Sequence, residues 1–529
     1  MMKSFLITAA IFFGICLAYI LMMLSVTENY FTYILDDAYI HLVVAKNFAL
    51  HGVWGVTKYA FSSSSSSPVF TFILSILISV FENHALIPLV FNIIVCGLLI
   101  IVLTRYYSNF LHPAKHVVAA CLFTLFISVL HVQVMSGMEH VLQVFVVAVN
   151  IYCFQHWIKG DFKMNLHAYW FYFTVLLLGL IRFESMFYFV SLAFVFLLVR
   201  NFKNAVLVLL FGFIPIVVFG YFNYHRSGYF FPNSVVVKGT LIDFSGNVLA
   251  QITDIIFKKL LLNITFYKIG LFPLLIGGAL MYKDYKSKPD FRSVISGNFL
   301  FIAFGLTLIM HCLFGEIRSI FRYEAYLLVA FSMVLVPRLL SYFIKPWSAF
   351  KTGPIIGIFI IANALLLIYK CNYSHALILN GSANIYEQQI QSARFLNKYY
   401  NTSKVVANDI GAITYFTEIH LLDFVGLGSM ELVDFKIRKK AFDDEVEEFL
   451  TDYTHDNSYQ LAIAYEEWLD GHPPKNWKKV AALEVKSDNA VLGFKRLFIY
   501  SIDPETRNRL IENIKDFHWN KNVTVTMIK

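Results

Sequence analysis

The chain has 529 residues, of which 58% are hydrophobic, 17% aromatic and only 15% charged, and its mean hydropathy is +0.63. No single water-soluble core requires so much apolar surface, so the composition excludes an ordinary soluble enzyme and defines a polytopic membrane protein. The net charge of +8 falls between apolar runs and in the C-terminal part, without a basic stripe of interleaved aromatics, which excludes a nucleic-acid binder.

The first predicted element is the apolar run 4–25, long enough to cross a bilayer. Lys3 precedes it and no small-residue cleavage site follows, so it reads as a retained helix rather than a signal peptide. Further spans are predicted near 86–104, 117–134, 140–157, 167–181, 185–200, 204–222, 262–281, 296–314, 322–343 and 354–371. The run Val69 to Phe81 is set apart. It reaches only about 20 Å at about 1.5 Å per residue, short of a hydrocarbon core of about 30 Å, and is expected to lie in the interface. With that run excluded, the basic turns holding Arg105 and Lys115, Lys159 and Lys163, Arg200 and Lys203, Lys283 to Lys288, and Arg338 to Lys351 all share the side of Lys3. That positive-inside pattern predicts about eleven transmembrane helices with a cytoplasmic N-terminus.

On this topology the remaining polar clusters share the extracytoplasmic face: Asp36 and Asp37, Glu139, Arg182 and Glu184, the stretch 224–238, and Glu316 to Arg322. After the acidic pair, Ile40, Val43, Val44 and Phe48 fall on one helical face and Gly52 supplies a stop. Residues 38–50 therefore read as a short amphipathic helix lying flat on the membrane. An Asp at its start also fits an N-cap, whose carboxylate accepts free backbone N–H groups. The serine run Ser62 to Ser67, closed by Pro68, has the composition of a flexible loop. Its two flanks are membrane-bound, which keeps it close to the acidic pair. The six cysteines at 16, 96, 121, 153, 312 and 371 lack ligand spacing, so neither a disulfide framework nor a zinc site is indicated.

Beyond residue 371 the composition becomes mixed and polar. KVVAND, IGAITYF and HLLDFVGL read as strand, helix, strand, and LAIAYEEW and VLGFKRLFIY add strands. The expected layout is a transmembrane catalytic domain over 1–371, with an outer loop at 28–85 carrying interfacial helices, and a small extracytoplasmic α/β domain over 372–529. Asp409 and Gly411, at a strand-to-helix turn, fit either an acceptor contact or a capped turn.

The ordered set DDAYIHLVVAKNFALHG, then aromatic and Ser residues ending in SSP, SGMEH at 136–140, RFES at 182–185, YHRSGYFFPNSVVVK at 224–238, FRYEAYLLVAF at 321–331 and NDIGAITYFTEIHLLDFVGL at 408–427 resembles the GT-C superfamily of lipid-linked glycosyltransferases. Within it the set looks most like the mycobacterial-type terminal arabinofuranosyltransferase branch, and the resemblance covers roughly residues 30–430. It implies an inverting enzyme that moves a sugar from a polyprenyl phosphate donor to a hydroxyl of an extracytoplasmic acceptor, in a bacterial inner membrane. Such chemistry needs a carboxylate base and fixed cations for the departing phosphate.

Carried onto this chain, the resemblance makes Asp36 the first candidate base, and Asp37 the second, or a cap, acceptor contact or metal ligand. Successive helical residues point about 100° apart, so the pair does not share one task. Glu139 is a second acidic group. Lys238, Arg322 and Arg182 are the candidate phosphate cations, with Glu184 as the alternative partner of Arg182. Tyr39, His41 and Asn233 are expected around the acceptor or sugar. A divalent cation is left open as a cofactor: carboxylates beside a phosphate suit one, yet such transfer can also work through basic side chains alone. Arabinofuranose is the implied donor sugar, with a hexose or aminosugar left open, and the acceptor is a glycan, a lipid-linked saccharide or a protein. A secondary transporter and a ligase or polymerase of lipid-linked polysaccharide stand as alternatives. The first would place its charges near midspan, the second its key residues in a late outer loop.

Overall fold

The computed structural model describes all residues except 161, 238–245, 288–289, 316, 318–320, 439–441 and 529. Lys238 and Glu316 therefore lie outside the described residues. Among the described residues, seven helices are long and apolar enough to cross a membrane, and nine if each of two bent pairs forms one span. The sequence expectation of about eleven is reached only by adding Leu166–Ile181 and Ser185–Leu198, which are shorter apolar helices of 16 and 14 residues. One bent pair, Ala114–Ile127 with Leu130–Ser136, turns by 52° at a break where Val129 adopts φ +54°.

The first outer loop folds against both the bundle and the C-terminal region. Helix Asp37–His51 ends at Gly52, left-handed at φ +69°, as its sequence predicts. The helix does not lie flat with one face in water: Ala38 to Ala45 and Asn47 are all buried. The reason is that helix Pro68–Phe81 packs on it from one side and the short helix Gly411–Tyr415 from another. Its polar positions are satisfied inside the protein, with Asn47 donating to the Gly55 carbonyl (2.8 Å) and the His41 ring meeting Thr71 (2.9 Å). Helix Pro68–Phe81 buries Phe70, Leu74 and Ile78 and leaves Phe72, Ile76 and Val80 outside, an apolar outer face suited to lipid.

The serine run is ordered rather than loose. Ser62 to Ser65 and Ser67 are buried. Ser63 donates to Asn223 Oδ1 (2.5 Å), Ser64 to the Leu427 carbonyl (2.8 Å), and Ser65 meets Thr71 (2.8 Å). Small hydroxyl side chains let an irregular backbone pack closely while their oxygens satisfy each other and their neighbours.

The C-terminal region holds a six-stranded sheet: β1 (Lys404–Ala407), β2 (His420–Asp423), β3 (Leu461–Ala464), β4 (Lys478–Val485), β5 (Arg496–Ser501) and β6 (Val523–Met527), in the order β2-β1-β3-β5-β4-β6. β1 runs parallel to β2 and β3, and the other pairings are antiparallel. Alternation along the strands builds a core on each face. Val405, Ala407, Leu461 and Ile463 pack with Phe395, Leu396, Leu510 and Ile514, whereas Val406, Leu422 and Ala462 pack with Val446 and Leu450. The sheet thus lies between helices Gln391–Tyr400 and Arg507–Asp516 on one side and Asp444–Asp456 on the other. Helix Pro354–Asn384 and the turns after it continue to Tyr400 as one helical stretch of 47 residues, joining the bundle to the sheet.

The two parts meet at Asp36. Its carboxylate accepts the backbone N–H of Gly411 (2.7 Å) and of Ala412 (2.8 Å), the free donors that open helix Gly411–Tyr415. The N-cap expected from sequence is therefore made to a different helix. Asp36 itself has helical backbone angles (φ −65°, ψ −31°), while a side chain that caps its own helix needs an extended backbone there. Gly411 is required by this contact, because a Cβ would lie 2.2 Å from the Asp36 carbonyl oxygen. Gly411→Ala is expected to cost about 1–3 kcal/mol by overpacking. A lowered melting temperature in detergent, with faster proteolytic release of the sheet region, measures it.

Candidate functional site

A cavity of about 370 Å³ opens where the first outer loop, the breaks between helices and the C-terminal region converge. Asp37, His41, Ser64, Ser66, Arg182, Glu184, Arg322 and Tyr323 supply its polar wall, and Met138, Phe183, Phe187, Phe231, Val235 and Phe314 its apolar one. Leu427, from the loop after β2, closes one side.

Each charged group is placed by a helix end. Asp37 is the first residue of helix Asp37–His51, and Glu139 directly precedes helix His140–Ile158. Arg182 and Glu184 occupy the break between Leu166–Ile181 and Ser185–Leu198. Arg322 and Tyr323 lie in the turn before helix Ala325–Leu335.

The buried Arg182 guanidinium is the hub. It donates to Glu139 (2.6 Å), makes a two-point contact with Glu184 (2.5 and 3.1 Å) and reaches Ser66 (3.4 Å). Planar forks of this kind match carboxylates in distance and direction. Glu139, fully buried, also sits 3.3 Å from His41 Nε2. The other nitrogen of that ring meets Thr71 and Ser65. Arg322 donates to Asp37 (2.6 Å). Both guanidinium groups face the Tyr323 ring, Arg322 at 4.7 Å and Arg182 at 5.1 Å from its centroid, a cation–π arrangement that keeps two positive groups together on one wall.

Of the residues singled out in the sequence, the structure gathers Asp37, Arg182, Glu184 and Arg322 around this cavity, with Glu139 directly behind Arg182. Asp36 is turned away toward Gly411 and Ala412. Tyr39 is buried among Tyr33, Tyr415 and Phe416. Asn233 holds the wall from behind, donating to the Leu427 carbonyl (3.2 Å) while its backbone N–H meets Ser63 (2.8 Å). Tyr323 and Leu427 were noted only within longer stretches, whereas Ser64 and Ser66 belong to the serine run expected close to the acidic pair. The Arg322-Tyr323 pair, two candidate π partners adjacent at a span end, was the available clue to Tyr323.

A second acidic pair lies at the junction. Removal from water, then repulsion by Asp409, raises the carboxyl of Asp36 above its ordinary range, against the two backbone N–H groups that favour its charge. Burial likewise raises Asp409, whose carboxylate meets Tyr465 (2.8 Å) and Gln389 (2.7 Å).

This architecture, a helical bundle with several apolar helices and a small C-terminal sheet, is shared with a solved structure. The particular match is ArnT from Cupriavidus metallidurans, in its structure bound to undecaprenyl phosphate, with a TM-score of 0.52 and 11% identity over 94% of this chain and 98% of that one. The Archaeoglobus fulgidus oligosaccharyltransferase in its apo form aligns with a TM-score of 0.48 and 12% identity, over 94% of this chain and 75% of that chain. At such identity the ArnT likeness is one of fold. Residues 383–500 match a domain of unknown function, DUF8728. No curated protein matches the chain.

Two outcomes are expected from these contacts. Arg182→Ala strands Glu139 in the interior and costs about 3–5 kcal/mol, read as loss of monodisperse protein, and Arg182→Lys recovers only part of it. The native state holds its protons at Asp36 and Asp409 more tightly than the unfolded chain does, so their contribution to stability is complete at low pH. It is lost as pH rises above the ordinary carboxylate value of about 4. Asp409→Asn, neutral at every pH, therefore flattens the decline of melting temperature between about pH 4 and about pH 7 relative to the wild type.

Proposed function

We propose that this protein is an inverting glycosyltransferase that moves a sugar from a polyprenyl phosphate donor to an acceptor hydroxyl, with the 370 Å³ cavity as its active site and Asp37 as the general base. The observation that carries this reading is the Asp37–Arg322 pair, a carboxylate and a guanidinium held 2.6 Å apart on the polar wall of a cavity whose other wall is apolar.

The chemistry follows from that placement. The acceptor oxygen attacks the anomeric carbon from the face opposite the phosphate, and the bond from that carbon to the phosphate oxygen breaks. Asp37 takes the hydroxyl proton. Charge builds on the departing lipid phosphate, and Arg322 exchanges its contact with Asp37 for a contact with that phosphate, which frees the base as it stabilises the leaving group. Phe183, Phe187, Phe231 and Phe314 offer an apolar path for the start of the prenyl chain. Arg182, engaged at both ends by Glu139 and Glu184, shapes the wall rather than serving as a mobile cation. The base moves from Asp36 to Asp37 on this reading, because the Asp36 carboxylate is occupied by two backbone N–H groups.

The ArnT structure that shares this fold holds undecaprenyl phosphate, which supports a lipid phosphate donor. The positive-inside pattern supports a site and sheet domain outside the cytoplasm, with the division into a transmembrane domain over 1–371 and an outer domain over 372–529. A bacterial inner membrane is the setting, and arabinofuranose is the first donor sugar to try, followed by hexoses and aminosugars. The two carboxylates on the cavity wall, Asp37 and Glu184, are each engaged by a guanidinium, Arg322 and Arg182, so the donor set fits charge stabilisation by basic side chains better than a divalent cation.

Transfer by the purified protein from a panel of polyprenyl phosphate sugars, with and without chelator, tests the reading. Asp37→Asn is expected to lose about 100-fold or more of the rate while remaining folded. Asp36→Asn is expected to lower the melting temperature and keep most of the rate. Full activity in Asp37→Asn would sink the assignment. Arg322→Ala is expected to slow turnover, and Arg322→Lys to recover part of it.

A further inference from the structure

One turn of the long helix Pro354–Asn384 carries a buried cation, Lys370, that the proposed chemistry does not use. Its side chain is 1% exposed, in an apolar helix where an uncompensated ammonium is costly. Nζ donates to the Ile127 carbonyl (3.2 Å), lies 3.9 Å from Glu324 Oε1 and stands 5.2 Å from the Phe321 ring centroid. Ile127 ends the helix before the 52° bend, where carbonyls lose their helical partners. One turn along the same helix, the Tyr373 ring meets Phe321 edge-on at 5.6 Å, and Ser374 Oγ lies 2.9 Å from His131 Nε2, within the helix beyond the bend.

The two sets of contacts lead to the two walls of the cavity. Phe321 and Glu324 bracket Arg322 and Tyr323, so Lys370 and Tyr373 grip both ends of the four-residue turn that carries the phosphate-facing guanidinium. Phe321 sits at φ +58°, a left-handed conformation disfavoured for a bulky residue and maintained by its surroundings. On the other side, Ile127 and His131 fix the bent pair, which runs on through Gly137 to Met138 in the cavity wall and to Glu139 against Arg182. Gly137 has φ +67°, and a Cβ there would lie 2.5 Å from the Tyr33 ring, so the chain has little freedom between the anchor and the wall.

We infer that Lys370, paired with Glu324, is a positioning residue: it sets the distance between the Arg322-Tyr323 wall and the Met138-Glu139 wall without touching substrate. This rests on the proposed transferase reading for its kinetic test. A misplacement of about 1 Å between reacting groups costs on the order of 100-fold in rate.

The experiment uses the full-length protein with Lys370→Met, Lys370→Arg and the charge-free pair Lys370→Met with Glu324→Gln. Melting temperature, kcat and KM for transfer, and amide hydrogen exchange over 321–326 and 127–139 are measured for each. Lys370→Met is expected to lower kcat by about 10-fold to 100-fold, with acceptor KM little changed and faster exchange in both segments. Lys370→Arg is expected to restore most of kcat. The charge-free pair is expected to recover melting temperature and leave kcat low. Wild-type kcat in a folded Lys370→Met protein, or recovery of both melting temperature and kcat in the charge-free pair, overturns the inference. If the wild type transfers no sugar, the transferase reading fails, and exchange decides the positioning role alone: unchanged exchange in both segments under Lys370→Met rejects it.

Discussion

The architecture around the cavity depends on a buried guanidinium flanked by two carboxylates. Arg182 sits where one short helix ends and the next begins, and burying its charge there is tolerable only because Glu139 and Glu184 satisfy it from two directions. Through Glu139 the constraint passes to His41, and from His41 to Thr71 and Ser65. Segments distant in sequence, the first outer loop, the bent helical pair and the Arg182 break, thereby share one electrostatic solution. Cation–π contact with Tyr323 extends it to the turn that bears Arg322.

That arrangement separates two neighbouring acids into different tasks. Asp36 reaches across to the first turn of a helix in the sheet region, where its oxygens replace partners that helix lacks. Asp37, one residue on, faces the cavity and Arg322. Helical geometry makes the separation unavoidable, and the close fit at Gly411 makes it rigid. The sheet region consequently does more than cover the bundle: through Asp36 it fixes the start of the helix that presents Asp37, and through Leu427 it contributes to the wall itself.

Much of this was legible in the residues, unevenly. The apolar runs, the stop at Gly52 and the strands around KVVAND, HLLDFVGL and LAIAYEEW followed from composition and period. Glu139, Arg182, Glu184 and Arg322 stood out as charges at span ends; the cavity gathers the last three, with Glu139 behind Arg182. The amphipathic helix at 38–50 was legible as a helix but not as a buried one, because its second face is covered by residues nearly 400 positions away. The serine run looked flexible for the same reason: its partners, Asn223 and Leu427, are invisible to local pattern. β4 and β6 escaped notice because charged or exposed residues interrupt their alternation, as expected of strands toward a sheet edge. The preference for Asp37 over Asp36 in the proposed function rests on contacts of Asp36 with Gly411 and Ala412, which lie 375 and 376 positions away and are invisible to local pattern.

The two helices that meet at Arg182 have a consequence for the surrounding lipid. With 16 and 14 residues, Leu166–Ile181 and Ser185–Leu198 reach only about 24 Å and 21 Å, against a hydrocarbon thickness of about 30 Å. On the proposed topology, hydrophobic mismatch there draws the polar headgroup layer inward beside the cavity. On the proposed function, acyl-chain length then becomes a control on how deeply a lipid-borne phosphate must sink to reach the guanidinium wall.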